Sequence, residues 1–160
     1  MKIIGLDLAF AKPIQMAVLS SRGNFLWLQT IQPDESLLLT ARRIHKAILP
    51  IGNSLVVYEK MGIWGNPATG MKLVQLATIL FVLLSESGFS VKLIRPREWQ
   101  KDILGELKKG EAKIISLREA DRIFGSKIPH PLNHDEADAL NIARYGVSHY
   151  RKLIKEENEL

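Results

Sequence analysis

Three strand-like apolar runs crowd together early in the chain, at residues 2–9, 14–21 and 24–32. A turn around Lys12-Pro13 separates the first two, and Ser21-Arg22-Gly23 reads as the hairpin turn before the third. Parallel neighbours need a long crossover, so connections this short force an antiparallel meander. Everything that follows must extend that sheet or cover its faces.

The pattern then changes period. Leu38, Leu39, Ile44, Ile48 and Leu49 recur at helical spacing up to Pro50, with Asp34 as the expected cap. A fourth strand is expected at residues 54–59 and a loop at 60–67. A helix at 68–87 stops before Gly88, and a fifth strand at 90–94 stops short of Pro96. The long helix is apolar around most of its circumference, which predicts burial on more than one side. Helices are expected at 98–104 and 112–124. A Pro-punctuated loop spans 125–132, and a last helix starts at 133–135 and runs to about residue 155. The result is an α/β domain of residues 1–160, a five-stranded mixed sheet flanked by helices on both faces. A right-handed crossover from strand 3 through the first helix lays strand 4 beside strand 1.

Composition sets limits around this. A length of 160 residues suits one domain with a single sizeable core, and apolar and charged fractions of 46% and 24% are those of a soluble globular chain. With no cysteine there is no disulfide framework and no thiolate ligand or nucleophile. Asp7 interrupts the segment where a signal peptide needs its apolar run, so a cytoplasmic protein is expected. The longest apolar stretch, residues 76–84, is too short to span a bilayer, so no membrane partner is expected. The net charge of +5 favours a polyanionic partner.

Against that positive balance, four carboxylates occupy unusual places. Asp7 lies inside Ile3-Ile4-Gly5-Leu6-Asp7-Leu8-Ala9, and Glu59 closes Leu55-Val56-Val57-Tyr58-Glu59. Asp135 and Asp138 stand three apart in His134-Asp135-Glu136-Ala137-Asp138, so one helix face can present both. Acids at the ends of apolar elements are costly unless they are paired or bind a cation. Taken singly, some have ordinary explanations. Asp135 can cap the last helix as readily as it can ligate, and Glu59 can be an exposed strand end. Asp138 fits a cap poorly, and Asp7 fits no bland role. Together they suit a two-metal site for phosphoryl chemistry, with oxygen ligands matched to two Mg²⁺ ions or to Mn²⁺ in their place.

The ordered set resembles the RuvC-type Holliday junction resolvases of the ribonuclease H-like fold, phage-borne members especially. The likeness rests on Asp in strand 1, Glu after strand 4 and Asp-x-x-Asp-Ala-Leu on a late helix. It also rests on the run from Glu59 through Asn66 to Lys72-Leu73-Val74-Gln75, on Arg95-Pro96-Arg97-Glu98-Trp99, and on Ala137 to Gly146. The resemblance implies Asp7, Glu59, Asp135 and Asp138 as metal ligands. It also implies a Mg²⁺-dependent homodimer, bacterial or phage-encoded, that nicks four-way DNA junctions symmetrically in recombination and repair. A basic residue near the scissile phosphate is expected in the family. Lys113 is the first candidate and Lys109 the second, and a solvated helix face explains Lys113 equally well. Lys60, Arg97, Lys101 and Lys108 are further candidate DNA contacts. Where many bacterial members place an aromatic wedge, this chain has Gly62, so Ile63 and Trp64 are the candidates to stack on an opened base.

Other features are more ordinary. Trp99 is expected at the sheet edge, and Trp27, alternating with Phe25, in the core or an interface. Arg42, Arg43 and Lys46 form a basic helix face, and His130 and His134 flank the last loop. The apolar second helix is either a dimer contact or a buried central helix. The alternatives to a resolvase are a same-fold nuclease acting on RNA–DNA hybrids or flaps, and a catalytically silent junction-binding protein. An actin-like ATPase is disfavoured because the chain has no Gly-rich phosphate loop.

Overall fold

The computed structural model describes residues 1–63 and 65–158, with side chains as far as residue 150. Trp64 therefore lies outside the described residues. The meander forms as the short connections require: β1 (Lys2–Asp7), β2 (Ile14–Ser20) and β3 (Phe25–Ile31) pair antiparallel in sequence. The chain then crosses over through α1 (Leu37–Ile48) and a short 3₁₀ turn to β4 (Ser54–Glu59), which pairs parallel with β1. A second crossover through α2 (Pro67–Glu86) brings β5 (Ser90–Ile94) parallel to β4. The sheet order is β3-β2-β1-β4-β5. Three helices complete the fold: α3 (Pro96–Leu104), α4 (Ala112–Phe124) and α5 (His134–Asn158).

Strand alternation divides the core between two faces. Ile4 and Leu6 of β1, Met16 and Val18 of β2, and Val56 and Tyr58 of β4 point to α1 and α2, where Ile44, Ile48, Leu76 and Leu80 meet them. The opposite parity, Ile3, Ala17, Leu19, Leu55 and Val57, faces α3, α4 and α5. Asp7 and Glu59 belong to this second set. Ile4 pairs with Val56 and Leu6 with Tyr58, and the same register carried one step further sets Asp7 beside Glu59 at the carboxyl ends of two parallel strands.

The covering helix lies unusually close. A Cβ on Gly5 would overlap the Ala139 carbonyl oxygen and stand 2.5 Å from the Ala143 amide nitrogen. A Cβ on Gly146 would come within 2.7 Å of the Ile3 side chain. Glycine in a strand interior marks such backbone approach, and here it lets α5 lie close on β1, over β2 along its early turns and touching β4 near Gly146.

Three expectations need correction, and one strand carries a bulge that alternation does not announce. The α1 cap is Ser36, whose Oγ accepts from the Leu39 amide, whereas Asp34 pairs with Arg43 at 2.7 Å. Asp135 does not cap α5. Asn133 Oδ1 accepts from the Glu136 amide and Glu136 Oε2 accepts from the Asn133 amide, both at 2.9 Å, a reciprocal capping box. Phe25 and Trp27 do not share a face, because a bulge opposite Val18 and Leu19 turns Trp27 toward Ile4 and Ile44's cluster and Phe25 toward Phe124. Finally, α2 is buried on one side only, through Gly70, Leu76, Ala77, Leu80 and Leu84, while Met71, Phe81 and Val82 are exposed. By length and apolarity alone α2 could cross a bilayer, with a mean hydropathy of 1.7. Here its inner face packs on the sheet, and the Tyr58 hydroxyl donates to the Ala77 carbonyl at 2.9 Å.

Candidate active site

The four acids converge at one end of the sheet. β1 delivers Asp7, β4 delivers Glu59, and the first turns of α5, packed over β1 and β2, deliver Asp135 and Asp138. Burial and mutual repulsion act together on them. Asp7 is pushed from 3.8 to about 8, first by desolvation and then by the charges of Asp138, Asp135 and Glu59, with Lys12 opposing. Burial also raises Glu59 and Asp138.

Each acid except Asp7 has an identified partner. Lys12, in the β1–β2 turn beside Ala11 at φ 58°, reaches Asp135 Oδ2 at 3.1 Å. The Trp99 indole N–H donates to Glu59 Oε1 at 2.7 Å. Ser116 Oγ on α4 donates to Asp138 Oδ1 at 2.5 Å, and the buried Asn141 amide donates in turn to the Ser116 carbonyl and hydroxyl at 2.9 and 3.0 Å. Lys12, Ser116 and Asn141 were not anticipated as site residues. A serine and an asparagine on helices leave no periodic signal, and Lys12 looks like an ordinary turn residue.

The expected basic residues fall into separate places. Lys113 stands on the first turn of α4, where its charge and that of His134 lower Asp138, and its carbonyl lies 3.2 Å from His134 Nδ1. Lys60 and Arg97 line an open cleft of about 740 Å³ together with Met61, Gly62, Arg95 and Pro96. A second cleft, of about 320 Å³, continues from Lys60 and Gly62 to Glu59. Arg95 was not singled out from the sequence. Ile63 is exposed on the loop before α2. Lys101 is exposed on α3, and Lys108 and Lys109 are exposed in the turn leading to α4. His130 pairs with Glu136 at 2.9 Å and so supports the capping box.

The donor set can be tested against a divalent cation. Asp7 favours its proton first because it is buried and then because Asp138, Asp135 and Glu59 crowd it with negative charge that Lys12 only partly opposes, and carboxylate oxygens suit a hard ion. Among the described residues no three acidic or imidazole side chains are grouped as a finished ligand shell. The four carboxylates are near enough that the charges of Asp138, Asp135 and Glu59 all act on Asp7. By the chemistry of its donors, all carboxylate oxygens, the set fits a hard divalent ion.

A mixed sheet of this order, with acids at the ends of its two central parallel strands and on the helix crossing them, defines the ribonuclease H-like class of fold. Among solved structures the chain is similar to RuvC of Thermus thermophilus, alone and with its Holliday junction substrate. The TM-scores are 0.72 and 0.68 at 19% identity, covering 95% of this chain and 96% of that one. It is also similar to the Fowlpox virus resolvase bound to Holliday junction DNA, with TM-score 0.63, 12% identity and coverage of 96% and 99%. The large terminase nuclease of phage G20c matches with TM-score 0.53, 12% identity and coverage of 91% and 81%. No family model and no curated protein matches the sequence. The ribonuclease H-like architecture expected from the sequence is the one observed.

Proposed function

We propose that this chain is a divalent-metal-dependent endonuclease that resolves four-way DNA junctions by paired nicks. The observation that carries the reading is the convergence of Asp7, Glu59, Asp135 and Asp138, with Asp7 raised to about 8 by burial and by the charges of the other three. The structural likeness to two proteins solved with Holliday junction DNA supports the substrate.

In this reading Asp7, Glu59, Asp135 and Asp138 would hold the divalent cations, with Asp7 the acid on which the charges of the other three act. A pair of Mg²⁺ or Mn²⁺ ions held there would supply the Lewis acidity that activates a water and stabilises the leaving oxygen. The chain's own groups do the rest. Ser116 and Trp99 orient their carboxylates, Lys113 stands at the edge of the cluster to meet a phosphate, and Lys60, Arg95 and Arg97 bind backbone phosphates along the adjoining clefts. Ile63 and Trp64, on the loop between Glu59 and α2, are assigned to the opened junction centre. Paired nicks require two such sites. The exposed apolar side of α2, with Leu93 on the edge strand β5, is the surface assigned to a second copy.

The test is cleavage of a labelled four-way junction beside linear duplex, flap and RNA–DNA hybrid, with Mg²⁺ or EDTA and with Asp7→Asn. Symmetric nicks at the junction alone, abolished by EDTA and by the variant, are expected. Cutting confined to flap or hybrid would replace the substrate and keep the site. Junction binding with no cutting under any divalent ion would overturn the enzymatic reading.

A further inference from the structure

We propose that Trp99 is a positioning residue for Glu59, its indole N–H fixing that carboxylate toward the other acids, and that α5 holds Trp99 in place. The inference rests on reading the acid cluster as a divalent-cation site.

The indole is suited to this task. It donates and cannot accept, so it bonds only to an oxygen that offers a lone pair, and it commits Glu59 Oε1 at 2.7 Å. Trp99 itself cannot swing away. It is 1% exposed and sits among Ile3, Leu55, Val57, Ile94, Ile142 and Tyr145, between the sheet and α5.

The helix that carries it is gripped from both sides of the tryptophan. The Tyr145 hydroxyl on α5 donates to Glu98 Oε1 at 2.5 Å, and His149 Nε2 stands 3.0 Å from Asp102 Oδ2. The Tyr145 and His149 rings stack at 4.1 Å, so the two grips support each other. The early turns of α5 thus carry Asp135 and Asp138, and its later turns hold the helix that supplies Glu59 with its donor. One helix sets three of the four acids, two directly and one through α3.

The experiment uses the full chain without DNA. Mn²⁺ binding is measured by calorimetry for wild type, Trp99→Phe and Asp7→Asn, and the indole N–H resonances are followed by ¹H–¹⁵N NMR. Trp99→Phe keeps a large ring and removes the donor. It should weaken Mn²⁺ binding by roughly 10- to 100-fold, the usual effect of losing a group that orients a metal ligand. In the nicking assay it should raise the Mn²⁺ requirement while activity recovers at saturating metal. The Trp99 resonance should move on Glu59→Gln and on adding Mg²⁺ to wild type. Equal Mn²⁺ affinity in wild type and Trp99→Phe would overturn the inference and leave the metal site standing. Failure of wild type to bind Mn²⁺ would overturn the metal reading, and the inference with it. If Trp99→Phe does not fold, the NMR arm decides alone: a Trp99 resonance indifferent to both Glu59→Gln and Mg²⁺ rejects the inference.

Discussion

Asp7 carries the largest electrostatic burden of any described residue, and the burden has a sign. Its carboxyl ionises near 3.8 when unfolded and near 8 in the folded, metal-free protein. Between those values the folded state binds more protons than the unfolded chain, so its stabilising contribution is complete below pH 3.8 and is lost as pH rises through about 8. Glu59 and Asp138 are raised as well and add to the same slope. Unfolding followed against pH in EDTA should show wild type losing stability toward pH 8, and Asp7→Asn should flatten the curve. At pH 8 the variant should be the more stable of the two by on the order of a few kcal/mol, and Mg²⁺ should restore wild type alone. A stability that rises with pH across this window would refute the assignment. At this scale the acids were legible because their residue types disagree with their apolar surroundings. Their partners were not. Ser116, Asn141 and Lys12 acquire their meaning only from α4, α5 and the β1–β2 turn meeting in space.

At the scale of elements, the seating of α5 decides the site. Gly5→Ala would drive a methyl into the Ala139 carbonyl and the Ala143 amide, which are helix backbone and cannot rotate aside. We expect a loss of roughly 3 kcal/mol or more, read by chemical denaturation. If the proposed function holds, junction nicking should also fall, because the shift moves Asp135 and Asp138 away from Asp7. A variant as stable as wild type would show that α5 does not lie on β1 as described. The bounds of β4, β5 and α4 could be read directly, since apolar runs there end at polar residues, Pro or Gly. The start of α1 could not. Asp34 and Ser36 are both good caps, and the choice turns on Arg43, which claims Asp34. Nor could the bulge that separates Phe25 from Trp27 be read, because alternation counts residues and a bulge adds one.

For the whole molecule, the open question in the sequence was what the apolar α2 faces. Hydropathy registers that a surface avoids water, and does not tell whether the same chain or another covers it. The structure answers for one side, which lies on the sheet, and leaves Met71, Phe81 and Val82 outward. If this side joins two copies, Phe81→Glu combined with Val82→Glu should give monomers by light scattering. These should still bind Mn²⁺ but make single, uncoordinated nicks in the junction. Dimers that persist unchanged would place the interface elsewhere.

The order of the acids along the chain also gives the site a timetable. Asp7 and Glu59 come together once β1 and β4 pair, at the modest cost of two neighbouring acids. Asp135 and Asp138 are made last and join only when α5 settles onto Gly5. During synthesis, then, a sheet can form without a complete acid set, and the proposed site is assembled only when α5 docks.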